Sequence, residues 1–126
     1  MPWRRFLSDL NNIQPEIIGV SRDSNDVELS LYVSQNLDCF KGHFPQTPIL
    51  PGVVQLDWAI HFTKIYFELI DRELSHVEVL KYKAVIAPKS RIKMQLQQKS
   101  EVKYCFKIYS ESQDHASGRL VFKQQS

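Results

Sequence analysis

Residues 40–59 carry the sequence Phe40-Lys-Gly-His-Phe-Pro-Gln-Thr-Pro-Ile-Leu-Pro-Gly-Val-Val-Gln-Leu-Asp-Trp-Ala59. Three prolines stiffen the first half of this stretch: Pro45, Pro48 and Pro51. Because a proline fixes φ and donates no backbone hydrogen bond, this half is predicted to be a rigid loop rather than part of a helix or a sheet interior. From Gly52 onward, apolar residues recur at helical spacing and predict a helix that runs to about Glu68.

The fixed residues of the stretch form a recognisable pattern. Gly42-His43-Phe44-Pro45 is followed by Pro48, by Pro51-Gly52-Val53 and by the acid Asp57, fourteen positions after the histidine. This pattern resembles the Gly-His-Phe-Pro-x-x-Pro-x-x-Pro-Gly-Val-x-x-x-(Glu or Asp) motif of 3-hydroxyacyl-[acyl-carrier-protein] dehydratases, and it departs from that motif at no fixed position. The Asp57-Trp58 pair and the short chain look most like the small dehydratases of aryl-polyene pathways. The resemblance implies an α+β hot-dog fold, in which an antiparallel sheet wraps around one long helix.

The resemblance also implies an activity, the dehydration of a 3-hydroxyacyl thioester to the trans-2-enoyl thioester. His43 suits the base that removes the proton next to the carbonyl, because an imidazole has a pKa of about 6.5. Asp57 would hold and protonate the leaving hydroxyl. The N–H of Gly52 would bind the thioester oxygen, since unpaired N–H groups and the dipole at a helix start favour an anion. Four further residues are expected to contact the substrate: Phe44, Pro51, Val53 and Trp58. Trp58 could instead fill the core, and for this residue the core role is the favoured one.

The remaining chain is predicted to consist mainly of strands that alternate apolar and polar residues. The expected strands are Glu16–Arg22, Val27–Val33, Glu78–Ile86, Arg91–Lys99, Glu101–Glu111 and His115–Gln124. A turn at Asp23–Asp26 joins the first two strands as a hairpin, and Gly118 is expected to break or bulge the last strand. Before the first strand, Met1–Leu10 has the spacing of a short amphipathic helix.

Composition predicts one soluble domain spanning residues 1–126. The chain is 43% hydrophobic and 24% charged, and its net charge of +2 is too small overall to indicate nucleic-acid binding. No apolar run approaches the ~20 residues of a membrane span, and no export signal follows Arg4 and Arg5, so a cytoplasmic location is expected. Cys39 and Cys105 are expected to be free thiols, with one disulfide as the alternative.

No cofactor or metal is expected. His43, Asp57 and His61 are possible metal ligands by type, but they lack an established metal-binding spacing. His61 shares a helix face with Asp57 and either pairs with that acid or makes a polar contact at an interface. The other two histidines, His76 and His115, are predicted to lie on the surface.

Two other functions remain open. The chain could be a non-catalytic hot-dog protein that binds thioesters or assists a partner, or it could be an acyl thioesterase. The presence of both His43 and Asp57 favours the dehydratase over the first alternative. Thioesterases of this fold usually lack the Gly-His-Phe-Pro loop, which makes the second alternative the weaker one.

Two kinds of partner are expected. The resemblance implies a homodimer in which the histidine and the acid of one site come from different protomers. Residues 81–107 contain one acid, Glu101, and eight basic residues, Lys81, Lys83, Lys89, Arg91, Lys93, Lys99, Lys103 and Lys107. These basic residues are either a solvated sheet face or a docking surface for acyl-carrier protein, which is acidic in such systems.

Overall fold

The computed structural model describes residues 12–41 and 48–124. The helix predicted over Met1–Leu10 and the loop residues His43 and Phe44 lie outside these described residues.

Within the described ranges, six strands and one long helix form the fold. Their bounds are β1 Glu16–Asp23, β2 Asp26–Val33, α1 Gly52–Tyr66, β3 Leu74–Tyr82, β4 Ser90–Gln98, β5 Lys103–Tyr109 and β6 Asp114–Phe122. The strands pair antiparallel in one sheet with the order β1-β2-β4-β5-β6-β3. β1 and β3 are therefore the edge strands, and the two strands that flank α1 in the sequence are separated by three others in the sheet.

The core lies between α1 and one face of the sheet. On β2 every second residue is buried, from Val27 to Val33, and the same alternation appears on β4 from Ile92 to Leu96. These side chains meet the buried residues of the helix, which are Val54, Gln55, Leu56, Trp58, Ala59, Ile60, Phe62 and Thr63. Because one sheet face is buried and the other carries polar residues, the period-two pattern of the sequence has a direct physical origin.

Backbone hydrogen bonds and backbone conformation define both ends of the helix. Pro51 occupies the N-cap position with an extended backbone, and its carbonyl accepts the N–H groups of Val54 and Gln55. At the other end Glu68 has a φ of 58°, and the N–H of Leu69 donates to the carbonyl of Lys64 at 2.8 Å. This left-handed residue allows a carbonyl of the last turn to accept a hydrogen bond. The helix therefore ends at Tyr66, two residues before the predicted end.

Three predicted details of the sheet are wrong. β3 begins and ends four residues earlier than expected. It ends early because residues 83–86 leave the sheet to bind other segments. β5 starts at Lys103, since Ser100 caps a tight turn and accepts the N–H groups of Val102 and Lys103. Gly118 does not break β6, which pairs through it with Phe106; the register shift opposite Gly118 lies in β3 between Glu78 and Lys81.

Among the described residues, Trp58 has the largest fully buried side chain. It is 0% exposed, and its indole Nε1–H donates to the carbonyl of Ile13 at 2.6 Å, which fixes the segment before β1 against α1. This position bears out the core role, while contact with an acyl group stays a prediction.

We expect Trp58→Phe to lower the free energy of unfolding by about 2–3 kcal/mol, because the smaller ring leaves a cavity and the carbonyl of Ile13 loses its donor. Urea denaturation would report this as a lower midpoint with an unchanged slope. Ile70→Ala is the control, since Ile70 is 64% exposed and should change the midpoint little. An unchanged midpoint for Trp58→Phe would contradict the assigned packing.

Candidate active site

The segment that contains His43 is fixed on both sides. Before it, the backbone N–H of Asp38 donates to the carbonyl of Asn12 at 2.7 Å, and the N–H of Asn12 donates to Asp38 Oδ2 at 2.8 Å. After it, the N–H of Leu50 donates to the carbonyl of Ile86 at 2.7 Å. His43, Phe44 and Pro45 themselves lie outside the described residues, so their predicted roles stay predictions.

The start of α1 presents a free backbone donor. Neither the N–H of Gly52 nor that of Val53 has an acceptor among residues 12–41 and 48–124. Unpaired N–H groups at the first turn of a helix, together with the helix dipole, favour a negatively charged oxygen. This geometry is compatible with the oxyanion role predicted for Gly52.

Tyr82 explains why a glycine begins the helix. Its hydroxyl donates to the carbonyl of Gly52 at 2.6 Å, and its ring packs so closely that a Cβ at Gly52 would lie 2.8 Å from Tyr82 Cζ. Partial burial of the phenol raises the pKa of Tyr82, so it stays a neutral donor at physiological pH. Sequence patterns offered no sign of this role for Tyr82, which lies thirty residues away at the end of β3.

Asp57 lies on the side of α1 that the sheet does not cover. We define the open stripe as Val53, Asp57, His61 and Ile65, which recur every four residues and are all at least partly exposed. Asp57 is half-buried, and His61 is exposed with its ring 5.3 Å from that of Phe62. The acid, the predicted substrate contact Val53 and His61 therefore share one surface of the helix.

The prediction that His115 lies on the surface is wrong. Only 4% of this residue is exposed, and its ring contacts Ser110 Oγ at 2.8 Å through Nε2 and the carbonyl of Ala84 at 3.1 Å through Nδ1. Its own carbonyl accepts the N–H of Lys83 at 2.9 Å. His115 thus fixes the segment that follows β3, and this segment in turn holds Leu50 through Ile86.

Cys39 is not a candidate nucleophile. Both Cys39 and Cys105 are free thiols. Burial raises the pKa of the Cys39 thiol to about 11, with a smaller contribution from the neighbouring Asp38 carboxylate, while a backbone hydrogen bond opposes the shift. Because the thiolate is the nucleophilic form, Cys39 is unreactive near neutral pH. Among the described residues, no three His, Cys, Asp or Glu side chains are grouped closely enough to hold a metal ion.

The eight basic residues of the 81–107 region are all exposed. Lys93 pairs with Glu28 at 3.3 Å and Lys107 pairs with Asp114 at 3.5 Å. Lys89 and Arg91 lie at the start of β4, three and five residues after Ile86, whose carbonyl accepts the N–H of Leu50 just before α1. The opposite end of β4 is near Asn25.

Comparison with known structures identifies the fold. The dehydratase heterocomplex ApeI:P from Xenorhabdus doucetiae matches with a TM-score of 0.80 and 23% identity, over 88% of this chain and 99% of that one. A protein from Erwinia carotovora subsp. atroseptica matches with a TM-score of 0.74 and 25% identity over 87% and 96% of the two chains. The dehydratase domain of a mycocerosic acid synthase-like polyketide synthase matches with a TM-score of 0.68 and 11% identity, over 92% of this chain and 42% of that one. The predicted hot-dog fold is confirmed.

Comparison of sequences identifies the family. A family model described as ApeI dehydratase matches residues 19–119. An uncharacterized thioester dehydrase from Halalkalibacterium halodurans is 40% identical over 50 residues, a match that spans 36% of this chain and 32% of that relative. The fold and the family match together place the chain in the class of hot-dog dehydratases. The chain belongs to the ApeI-like dehydratase family.

The described part of the chain contains no helix that is long and apolar enough to cross a membrane.

Proposed function

We propose that the protein dehydrates a 3-hydroxyacyl thioester on acyl-carrier protein to the trans-2-enoyl thioester, in cytoplasmic biosynthesis of the fatty-acid or aryl-polyene type. His43 acts as the base, Asp57 protonates the leaving hydroxyl and the N–H of Gly52 binds the thioester oxygen. The main support is the unpaired N–H of Gly52 at the start of α1, five residues or about 1.4 turns before the half-buried Asp57 on the open stripe.

The proposed reaction is the elimination of water from the 3-hydroxyacyl thioester. Removal of the proton next to the carbonyl places negative charge on the thioester oxygen, which the N–H of Gly52 stabilises. The electron pair then forms the double bond as the hydroxyl leaves with the proton supplied by Asp57, and water is released. Both residues return to their starting forms once His43 passes its proton to solvent and Asp57 regains one.

The test of this function is an assay of the purified protein with a set of 3-hydroxyacyl thioesters that differ in chain length and aromaticity. Mass spectrometry should detect a product lighter than the substrate by one water. A product lighter by the acyl group, with release of free thiol, would instead indicate a thioesterase. Binding without any reaction would indicate a non-catalytic protein.

The proposed assembly is a homodimer whose protomers pair through the edge strand β3. On this strand Val79 is 63% exposed and Tyr82 is 47% exposed, and an uncovered apolar edge of this kind is a pairing site. β3 also ends at Tyr82, which holds Gly52, so a partner at this edge would lie beside the start of α1. His43 of one protomer would then face Asp57 of its partner.

The proposed docking surface for acyl-carrier protein is the pair Lys89 and Arg91. We expect the double substitution Lys89→Glu, Arg91→Glu to lower kcat/KM about tenfold for a carrier-bound substrate at low salt, because a basic surface speeds encounter with an acidic partner. The same acyl group on coenzyme A should lose much less. The difference should shrink toward ~0.5 M salt, where the screening length is only ~4 Å.

The control is Lys99→Glu, Lys103→Glu, an equal change of charge at the turn between β4 and β5 and the first residue of β5, at the opposite end of β4. Lys93 stays unchanged because it pairs with Glu28. Equal losses for both substrates, or for both double variants, would mean that the basic residues only keep the sheet face solvated.

A further inference from the structure

The side chain of Tyr82 contacts the backbone of α1 at the first residue of the helix. Its hydroxyl donates to the carbonyl of Gly52 at 2.6 Å, and its ring packs so tightly that a Cβ at Gly52 would lie 2.8 Å from Cζ and 3.0 Å from Cε1 of the tyrosine. A carbonyl in an α-helix accepts from the N–H four residues later, so the tyrosine supplies an additional donor. The contact joins the end of β3 to the start of α1.

The strand end that carries Tyr82 is itself fixed. The backbone of Tyr82 pairs with Ala116 on β6, and the N–H of Lys83 donates to the carbonyl of His115 at 2.9 Å. The buried ring of His115 also contacts the carbonyl of Ala84 at 3.1 Å. Because the backbone around Tyr82 is fixed on both sides, its side chain can hold a neighbouring group in one geometry.

The carbonyl that Tyr82 binds shares a peptide group with the N–H of Val53. A peptide group is planar and trans, so the carbonyl of Gly52 and the N–H of Val53 point in opposite directions within one rigid plane. By fixing the carbonyl, the tyrosine also fixes the direction of this N–H, which has no acceptor within residues 12–41 and 48–124. A hydrogen bond on the carbonyl also polarises the peptide group and makes its N–H a stronger donor.

Two adjacent donors suit the charge that develops in the proposed elimination. The N–H groups of Gly52 and Val53 both point out of the helix start, because the N–H groups of an α-helix face its N-terminal end. Prearranged backbone donors stabilise the negative charge on the thioester oxygen more than they stabilise the neutral substrate. Gly52 and Tyr82 both line a cavity of about 200 Å³, which leaves space beside their contact.

We propose that Tyr82 is a positioning residue for the oxyanion site: its hydroxyl fixes and polarises the peptide group between Gly52 and Val53, so that the N–H of Val53 acts as a second donor beside that of Gly52. This inference rests on the proposed function for the position of the thioester oxygen. It adds a residue that acts on this oxygen through the backbone alone. A hydroxyl that only anchored the helix start would affect stability and leave turnover unchanged.

The substitution Tyr82→Phe isolates the hydroxyl, because it keeps the ring that packs on Gly52. With a 3-hydroxyacyl thioester of N-acetylcysteamine, kcat should fall about fivefold, the effect of one neutral hydrogen bond, while KM should change by less than about twofold. The matched control is Tyr109→Phe, which removes a hydroxyl that donates to Glu28 Oε2 at 2.9 Å and should change neither constant. An unchanged kcat in Tyr82→Phe, or an equal loss in Tyr109→Phe, would overturn the proposal.

A double-mutant cycle tests whether the hydroxyl acts through Gly52. In Gly52→Ala the added Cβ displaces the tyrosine ring, so the hydroxyl no longer holds the carbonyl in its native position. Removal of the hydroxyl in the Gly52→Ala background should therefore lower kcat by less than about twofold, against about fivefold in the wild-type background. The same fivefold loss in both backgrounds would overturn an action through this peptide group.

An NMR measurement separates this inference from the proposed function. Loss of the hydrogen bond on the carbonyl of Gly52 should move the amide nitrogen signal of Val53 upfield in Tyr82→Phe and leave that of Gly19, on β1, unchanged. S-acetyl-N-acetylcysteamine, a thioester with no hydroxyl to lose, should shift the N–H signals of both Gly52 and Val53.

If both NMR results are obtained but no thioester is dehydrated, the positioning of the second donor stands and the proposed function fails. If thioesters are dehydrated but the Val53 signal is the same in Tyr82→Phe and the wild-type protein, the proposed function stands and the inference fails. A probe that shifts the N–H signal of Gly52 alone would overturn the second donor.

Discussion

Replacement of His43 by alanine, or of Asp57 by asparagine, is expected to lower the turnover of 3-hydroxyacyl thioester by at least ~100-fold, the usual effect of losing a positioned acid or base. The asparagine would keep the size of the Asp57 side chain and its place on the open stripe but could not protonate the leaving hydroxyl. The Asp57 variant should fold normally, because Asp57 lies on the side of α1 that the sheet leaves uncovered.

Turnover would be measured with the best substrate from the thioester series, and circular dichroism would confirm that each variant is folded. Matched controls are His76→Ala and Asp71→Asn, since both residues are exposed and lie away from the start of α1. They should retain turnover within about twofold. Near-normal turnover in either the His43 or the Asp57 variant would remove the role assigned to that residue.

A mixture of the two inactive variants is expected to regain activity. If each site takes His43 from one protomer and Asp57 from the other, a mixed dimer contains one intact site and one doubly substituted site. Random pairing of equal amounts makes about half of the dimers mixed, so about a quarter of the wild-type activity should return. The physical basis is that Asp57 lies on the open stripe, where a second helix can approach it, rather than in the core.

The measurement requires exchange of subunits, so the variants would be mixed in mild denaturant, returned to buffer and assayed alongside each variant treated alone. Light scattering would report the dimer directly. Activity that stays at the level of the separate variants, in a preparation that mass spectrometry shows to contain mixed dimers, would place both residues of a site on one protomer. A monomer at micromolar concentration would remove the proposed pairing through β3.

Much of the fold was predictable because it depends on neighbours that are close in the sequence. The alternation in Asp26–Val33 and Ser90–Gln98 arises because one face of the sheet is exposed to solvent and the other is buried. Both strands agree with prediction to within one residue at each end. Residues 48–51 join no helix or strand, as expected where prolines fix φ and lack a donor, and the helix that starts at Gly52 follows from the apolar spacing. The family, too, follows from the short motif around His43, whose residues the chemistry requires at set positions.

The tertiary structure decided the features that depend on distant segments. β3 ends early because residues 83–86 bind Leu50 and His115 instead of extending the sheet. The alternation of apolar and polar residues does not reveal such distant partners. The sequence predicts His115 to lie on the surface at the start of the last strand, yet the segment after β3 covers it. Tyr82 lies against Gly52 only because the sheet order brings the end of β3 to the start of α1.

Gln55 is the clearest case of a residue whose environment depends on the tertiary structure and not on the sequence pattern. In the sequence it is one polar residue in an apolar helix, which periodicity alone would assign to the surface. In the fold its Nε2 is bonded and its Oε1 is enclosed without a partner in the described structure. Sequence patterns determine which face of an element is apolar, because that depends on side chains two to four residues apart. Whether a single polar atom finds a partner depends on segments far along the chain, and only their packing in three dimensions decides it.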